Sequence, residues 1–373
     1  MTVWIEAPFD NLPAEGFRRQ RYWMMAEAFV RAGHDVTYFT SDFNHGTKAP
    51  RRLVSALRTP GIEVVLVPTP PYRRNVSLRR ILSHRAYARA FARHAAGRQS
   101  PAVVIAATPT LGAAAAALRL ARRCGARFVL DIQDAWPETF LRLLPGGLKW
   151  TGRLLFAPLF RKARRLYREA DLVTGVSARY RALSGRDDYR LAYLGVPPQE
   201  PPAEGRVRGA TRLVYAGSLG NGYDLGTVIE AVRRNPALTL DIAGSGPLEP
   251  RWRAMANART RFHGYLPDAE LRRLLASCDV GVIPMRDDSW VGLPNKLGDY
   301  LAAGLRVVSS LHGECGELLA RAHAGTTYDF GSADSLLRAL ETLPASAVEL
   351  PDCLRAERIY ARYANEVANC LRV

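Results

Sequence analysis

The chain has 373 residues, a length that suits two domains, and 48% of its residues are hydrophobic, which is ample for packed cores. It contains no apolar run of about 18 residues, and its first residues, Met1-Thr-Val-Trp-Ile-Glu, lack the pattern of a signal peptide. Five scattered cysteines without a Cys-x-x-Cys pair indicate reduced thiols in a cytosolic protein, and we expect no metal site.

The formal net charge of +17 falls entirely in the first 200 residues, whereas the rest of the chain is balanced. A basic domain of this kind favours a polyanionic partner, either anionic lipid or nucleic acid. The chain shows no recognised nucleic-acid motif, so we expect no nucleic-acid partner.

The chain opens with the pattern of a Rossmann-like unit. A strand at Val3 to Glu6 precedes a loop, a helix over Phe17 to Ala32 and a strand over Asp35 to Thr40.

The first loop of such a unit faces the ligand, which makes Glu15, Gly16 and Arg18 candidate site residues. The alternative is that Arg18, Arg19 and Arg21 form only a solvated helix start.

The most basic tract runs from Arg73 to Arg98 and contains no acid. Its arginines alternate with apolar residues, at Leu78, Ile81, Leu82, Tyr87 and Phe91. This spacing predicts a basic amphipathic helix that lies on an anionic membrane. An ordinary solvated helix that covers the sheet is the alternative.

Polar and aromatic residues follow the predicted strand Arg127 to Ile132, in the segment Asp131-Ile-Gln-Asp-Ala-Trp-Pro-Glu138. Sites of α/β proteins form at the carboxyl ends of parallel strands. Asp134 and Glu138 are therefore the acid candidates of the first half. A loop held by packing of Trp136, with the acids as caps, is the alternative.

A proline-rich segment, residues 197–208, predicts a linker between domain 1–196 and domain 209–353. After it, a second Rossmann-like unit begins with a strand at Arg212 to Ala216. Glycine-rich turns follow this strand and the strand Leu238 to Ala243, and such turns cradle phosphate. These turns supply Gly217, Ser218 and Gly244 as candidates.

The segment from Gly292 to Gly304 reads Gly-Leu-Pro-Asn-Lys-Leu-Gly-Asp-Tyr-Leu-Ala-Ala-Gly. Pro294 suits the first position of a helix and Gly304 its C-terminal cap. The amino end of the helix and Lys296 predict an anion site, and Asp299, one turn further along, can accept hydrogen bonds from sugar hydroxyls. A capped helix that only packs on the sheet is the alternative.

These motifs together resemble the retaining GT-B glycosyltransferases of sequence family 4. The Pro-Asn-Lys and Asp-Tyr-Leu-Ala-Ala-Gly motifs, and Asp-Ala-Trp-Pro-Glu upstream, are similar to a bacterial surface-polysaccharide branch. The resemblance covers most of the chain, except for residues 41–100 and 139–165. It departs from the family at Val291, where the family has the first of two acidic residues, and Asp287 and Asp288 are the candidates to take the place of that acid.

The resemblance implies two facing Rossmann-like domains with a central cleft, and a C-terminal helix, 354–373, that crosses back onto the first domain. It implies that Asp299 holds the ribose of a nucleotide sugar, and that Asp134, Glu138 and Lys296 act in catalysis. The implied donor-binding residues are Gly16, Gly217, Ser218, Gly244, Gly292, Leu293, Pro294, Asn295 and Asp299, with Glu15 and Arg18 on the acceptor side.

The implied function is metal-independent transfer of a hexose or N-acetylhexosamine, without a cofactor, from a UDP- or GDP-linked donor to a lipid-linked glycan. The location would be the inner face of a bacterial cell membrane. Three alternatives remain: a GT-B transferase with a soluble acceptor, a nucleotide-sugar epimerase, and a non-enzymatic module that binds an anionic polymer.

Overall fold

The computed structural model describes residues 1–51, 58–74, 77–141, 144–198, 211–286 and 290–370. The chain divides into two compact units. Unit 1 comprises Met1–Tyr193 and Ala356–Val373, and unit 2 comprises Leu194–Arg355. Most of the predicted linker lies outside the described residues.

Unit 1 alternates strands and helices. Its strands are β1 (Thr2–Glu6), β2 (Asp35–Ser41), β3 (Phe43–Asn44), β4 (Ala49–Pro50), β5 (Arg58–Thr59), β6 (Ile62–Val67), β7 (Val103–Thr108), β8 (Arg127–Ile132), β9 (Leu172–Gly175) and β10 (Arg190–Leu191). Its helices are α1 (Arg21–Arg31), α2 (Leu78–Ala96), α3 (Leu111–Cys124), α4 (Glu138–Leu141), α5 (Lys149–Leu155), α6 (Ala157–Glu169), α7 (Arg179–Ser184) and the C-terminal α14 (Ala356–Asn369).

Unit 2 repeats the same plan. Its strands are β11 (Thr211–Ala216), β12 (Leu238–Ala243), β13 (Thr260–Gly264), β14 (Val280–Ile283), β15 (Arg306–Ser309) and β16 (Gly325–Thr327). Its helices are α8 (Leu225–Arg234), α9 (Glu249–Met255), α10 (Asp268–Ala276), α11 (Asn295–Ala302), α12 (Gly313–Arg321) and α13 (Ala333–Glu341).

Both units contain a doubly wound parallel sheet. The strand order is β10-β9-β8-β7-β1-β2-β6-β5 in unit 1 and β13-β12-β11-β14-β15-β16 in unit 2. Apart from β5, which is antiparallel to β6, the strands of both sheets pair in parallel. The order reverses between β1 and β7 and between β11 and β14. In such sheets, ligands bind at the carboxyl ends of the strands at these switch points.

The periodicity located the buried strands well, and the predicted bounds of β8 and β12 are those of the structure. The predicted first helix is wrong at its start, since α1 begins at Arg21 rather than at Phe17. Strand β10 is short and ends at Leu191, and Val196 forms an isolated bridge with Arg355.

The core of unit 1 contains a buried ion pair between α1 and β8. Two nitrogens of Arg21, Nε and Nη2, donate to the two carboxylate oxygens of Asp131, each at 2.8 Å. The Nη1 atom of Arg21 donates to the carbonyls of Ala192 and Tyr193 at 2.8 and 3.0 Å. Arg21 is therefore not part of a solvated helix start, and that alternative is wrong for this residue.

The Asp131 carboxylate has further partners. It accepts hydrogen bonds from the hydroxyls of Tyr22 on α1 and Thr174 on β9. Burial alone would raise the pKa of Asp131, but Arg21 and these hydroxyls hold it below its usual value. The C-terminal helix α14 joins the network, because its Tyr360 ring lies 5.8 Å from the Arg21 guanidinium. One ion pair thus connects α1, β8, β9 and α14.

A second buried acid, Glu6, closes β1 at the sheet's carboxyl end. Burial raises the pKa of Glu6 to about 8, and Tyr87 opposes this rise only in part. Glu6 is therefore mostly protonated at neutral pH.

We expect Asp131→Asn to lower the free energy of unfolding of unit 1 by about 3–5 kcal/mol, because it leaves the buried Arg21 without its counterion. Urea unfolding followed by tryptophan fluorescence measures this loss. Arg31→Met, at an exposed position of the same helix, is the control and should change little. A loss below about 1 kcal/mol for Asp131→Asn would contradict the central place of this pair.

Candidate functional site

The switch point of unit 2 brings three predicted segments together. The glycine turn after β11, the glycine turn after β12 and the segment that leads into α11 all follow carboxyl ends of the sheet. Backbone contacts connect the first two turns, because the N–H of Leu219 donates to the carbonyl of Ser245 at 3.0 Å. The loops that sequence motifs singled out therefore form one surface.

The contact between the two glycine turns admits no side chain. Gly217 and Gly244 have φ angles of +148° and +137°, which favour glycine. A Cβ atom on Gly244 would lie 1.9 Å from the carbonyl oxygen of Gly217, and one on Gly217 would lie 3.0 Å from the Lys296 Nζ atom. The turns thus place bare backbone beside the Lys296 ammonium group.

Helix α11 presents its amino end at this surface. Pro294 has extended backbone and precedes the helix, so its predicted place as the first helical residue is wrong by one position. Gly304 follows the helix in the left-handed conformation, at φ +70°.

The Lys296 side chain is buried between two tyrosine rings. Its Nζ atom lies 4.0 Å from the centre of the Tyr215 ring and 3.8 Å from that of Tyr223. It has no hydrogen-bond partner among the described residues. Burial lowers the pKa of Lys296 to about 7, so an anion bound there would restore the charged form.

Tyrosine hydroxyls fix the end of β11, which carries Tyr215. The Tyr215 hydroxyl donates to the Ser218 carbonyl at 2.6 Å, and the Tyr300 hydroxyl accepts from the Ala216 N–H at 2.8 Å. The sequence analysis did not identify Tyr215 or Tyr223 as site residues. The only sequence signal for them was their position on either side of the glycine turn.

The other donor-binding candidates of unit 2 lie in the glycine turns and in the segment from Gly292 to Asp299. Asn295 is exposed and Asp299 is half-buried, one turn into α11. Gly292 and Pro294 are buried, Leu293 is half-buried and Ser218 is exposed. Asp287 and Asp288 lie outside the described residues.

The two candidate acids of unit 1 face different neighbours. Asp134 is exposed as a residue, but its carboxyl group is partly desolvated. This desolvation raises the pKa of Asp134, and the charge of Arg80 on α2 opposes the rise. Burial also raises the pKa of Glu138, opposed by its own N–H, Arg164 and Arg153.

The first-loop candidates are held by their own loop. The Glu15 carboxylate accepts from the Leu12 N–H at 2.8 Å, from Asn44 at 3.1 Å and from Arg51. Gly16 ends a short 3-10 helix at φ +80°, and Arg18 is exposed. Glu15 thus stabilises the loop in this structure.

The described residues contain no group of three or more His, Cys, Asp or Glu side chains that could hold a metal ion.

Comparisons with known proteins agree on the fold and class. The model of the glycosyl transferase 4-like domain matches residues 19–216, and that of glycosyl transferases group 1 matches residues 210–345. A search of curated proteins gives no match.

Solved structures similar to the chain include sucrose-phosphate synthase from Thermosynechococcus elongatus, with 15% identity and a TM-score of 0.68. The alignment covers 99% of this chain and 94% of that chain. Anabaena Alr3699/HepE in complex with UDP has 14% identity and a TM-score of 0.62, and the alignment covers 100% of this chain and 97% of that chain. At these identities the likeness shows the fold, which is GT-B.

We expect Lys296→Met to raise the free energy of unfolding of unit 2 at about pH 6 by ~2 kcal/mol, because it removes a desolvated ammonium that the tyrosine rings only partly stabilise. The folded-state pKa lies below the unfolded value of 10.5, so the wild-type free energy of unfolding should rise as pH increases from about 7. Urea unfolding across this range measures both effects. Arg273→Met, at an exposed position of unit 2, is the control. A destabilised Lys296→Met variant would show that the lysine serves packing.

Proposed function

Because the chain belongs to the glycosyl transferase 4-like family and is a GT-B glycosyltransferase, we propose that it is a retaining, metal-independent enzyme. It transfers a hexose or N-acetylhexosamine from a UDP- or GDP-linked donor to a lipid-linked glycan in bacterial surface-polysaccharide synthesis. It works without a cofactor at the inner face of the cell membrane.

The proposed donor site rests on one observation: the Lys296 Nζ atom is buried and has no hydrogen-bond partner among the described residues. Burial of an unpaired ammonium is unfavourable, and an anion provides the missing partner. The group lies beside the glycine turns at the switch point, where α/β sheets bind ligands. The diphosphate of a nucleotide sugar has the required charge.

The site suits departure of a nucleoside diphosphate. As the bond between the sugar and the diphosphate breaks, negative charge develops on the diphosphate oxygens. Lys296 and the N–H groups at the start of α11 stabilise that charge, and a well-placed donor of this kind contributes about 3–4 kcal/mol. Asp299 accepts hydrogen bonds from the ribose hydroxyls.

The acids of unit 1 have the acceptor-side roles in this proposal. Partial desolvation raises the pKa values of Asp134 and Glu138, which makes each a better proton acceptor than an ordinary carboxylate. One of them binds the acceptor hydroxyl and takes its proton as the new glycosidic bond forms.

We expect the two halves of the donor to depend on different residues. Lys296→Met should weaken UDP or GDP binding about 10- to 100-fold, the loss of a charged hydrogen bond, and should leave binding of the corresponding nucleoside unchanged. Asp299→Asn should weaken binding of the diphosphate and of the nucleoside alike, because both carry the ribose. Thermal shift across UDP, GDP, ADP, TDP, their sugar conjugates and the corresponding nucleosides measures this, since ligand at ~100 times its Kd adds about 2.7 kcal/mol.

Arg273→Met is again the control. A folded wild type that responds to no nucleotide would overturn the donor site, and equal UDP binding by Lys296→Met would remove the role of this lysine.

The surface of unit 1 supports the membrane part of the proposal. Leu78, Ile81 and Leu82 share one face of α2 and are exposed, with Leu78 at 79%. Around α5, further large apolar side chains are exposed, at Leu148, Trp150, Leu154 and Leu155. None of the helices in the described ranges is long and apolar enough to cross a membrane. Exposed arginines flank the apolar face of α2, which suits an anionic lipid surface.

We expect the triple replacement of Arg79, Arg85 and Arg89 by Ser to weaken binding to phosphatidylglycerol vesicles about 100-fold, because each surface cation contributes ~1 kcal/mol. Vesicle sedimentation measures the partition. The control has the same change of charge in unit 2, with Arg261, Arg273 and Arg321 replaced by Ser. An equal loss of vesicle binding in both triple variants would show that the attraction is a non-specific effect of charge. If the wild type does not bind the vesicles at all, a soluble acceptor is favoured.

A further inference from the structure

A glycine in the interior of α11 marks a close approach of another part of unit 2. Helix α11 has eight residues, Asn295–Ala302, and Gly298 lies in its middle. Glycine is less favourable than alanine in a helix interior, because it loses more conformational freedom on folding. Its presence at this position therefore indicates a requirement other than helix formation.

That requirement is space for the Val196 side chain. A Cβ atom on Gly298 would lie 2.5 Å from Cγ2 of Val196, which is closer than two carbon atoms approach without strong repulsion. The same atom would lie 4.0 Å from the Cβ atom of Val196, which is an ordinary contact. Both residues are buried. Because a β-branched side chain is stiff about its first torsion, Val196 does not readily turn away.

The backbone of Val196 is fixed by the other end of unit 2. Its N–H donates to the carbonyl of Leu354 at 2.8 Å, and it forms a parallel bridge with Arg355. Unit 2 comprises Leu194–Arg355, so the first and last residues of the unit pair with each other. Val196 therefore meets α11 from a segment that is itself held in place.

Val196 and the sheet confine α11 from opposite sides. Residues two positions apart on an α-helix point in directions that differ by roughly 200°, so Gly298 faces away from Lys296. Tyr300 is four residues after Lys296 and shares its side of the helix. The Tyr300 hydroxyl accepts from the Ala216 N–H at 2.8 Å, which fixes this side to β11. A displaced Gly298 would therefore shift the Lys296 side of the helix as well.

We propose that Val196 is a positioning residue of the donor site. By filling the space beside Gly298, it sets the place of α11 and with it the positions of Lys296 and Asp299. The inference rests on the proposed function, because it takes α11 as the donor-binding helix. It adds that the segment by which the chain enters unit 2, and not the sheet of that unit alone, determines where the donor contacts lie.

A cycle of two substitutions tests the contact itself. Gly298→Ala alone should lower the urea midpoint of unfolding, although alanine is the better helix former, because its Cβ atom meets Cγ2 of Val196. Val196→Ala removes Cγ2, and in that background Gly298→Ala should raise the midpoint instead. Urea unfolding of the wild type, the two single variants and the double variant measures this change of sign. The same sign in both backgrounds would overturn the contact.

Carbon-13 NMR of the lysine side chains reports the position of α11 without any ligand. The chain contains four lysines, and Lys296→Met identifies the signal of Lys296. Its Nζ atom lies 4.0 Å from the centre of the Tyr215 ring and 3.8 Å from that of Tyr223, so ring currents should displace its Cε signal from the other three. We expect Gly298→Ala to move this signal, and the double variant with Val196→Ala to return it. An unmoved signal in folded Gly298→Ala would overturn the inference.

Calorimetric titration with UDP and with GDP measures the consequence for the donor site. Gly298→Ala should weaken binding of the nucleotide that the wild type binds by ~10-fold or more, because a displaced Lys296 loses a charged hydrogen bond. The double variant with Val196→Ala should regain most of the lost affinity. A double variant that binds no better than Gly298→Ala would overturn the positioning role.

Two matched controls separate positioning from a general loss of stability. Val232→Ala removes the same atoms from a fully buried position of α8 and should not restore nucleotide binding to Gly298→Ala. Gly112→Ala in α3, where an added Cβ atom would lie 3.7 Å from the Ala88 side chain, should leave nucleotide binding and the Lys296 signal unchanged. Restoration by Val232→Ala would overturn the specific contact.

The inference and the proposed function fail in different ways. If no nucleotide binds to the wild type but the Lys296 signal follows the cycle, the donor site falls and the role of Val196 in placing α11 stands. If nucleotide binding is lost in Lys296→Met and kept in folded Gly298→Ala, the donor site stands and the positioning role falls.

Discussion

The buried pair of Arg21 and Asp131 is the interaction on which the architecture of unit 1 depends. Its hydrogen bonds connect the first helix, two strands of the sheet and the carbonyls of Ala192 and Tyr193, where the chain leaves the unit. A buried pair contributes specificity only when every group is satisfied, and here each end of the pair has several partners. The C-terminal helix α14 adds an aromatic contact to the same arginine through Tyr360, which connects α14 to the first helix.

Lys296 in unit 2 is also a buried cation, but unlike Arg21 it has no counterion among the described residues. Arg21 has a counterion and two carbonyls, whereas the Lys296 ammonium has two ring faces and no hydrogen-bond partner among the described residues. In a protein core, buried charges are paired with other protein groups. In a binding site, the ligand can provide the missing partner. The same chain thus contains one buried cation whose partners are supplied by the protein, Arg21, and one whose hydrogen-bonding partners the described residues do not supply, Lys296.

The sequence predicted most strands and placed Lys296 at a helix start beside glycine turns, because these features have local signatures. It missed the role of Arg21, whose partner lies 110 residues away and leaves no trace in nearby spacing. It also missed Tyr215, near the end of β11, and Tyr223, just before α8, since aromatic residues at such positions usually belong to the core. The interleaved apolar residues of α2 predicted a helix but not its orientation: Tyr87 and Phe91 are buried and Leu78 is exposed.

The buried acid at the end of β1 has a consequence for the energetics of folding. The pKa of Glu6 is about 8 in the folded chain and 4.5 without the surrounding protein. Between these values the native state holds a proton that the unfolded state has lost, so folding at neutral pH takes up roughly one proton at this residue. The heat of unfolding therefore includes the heat of ionisation of whichever buffer accepts that proton. Two buffers of unequal ionisation enthalpy would give different calorimetric enthalpies for the same structural change, and the difference counts the protons exchanged.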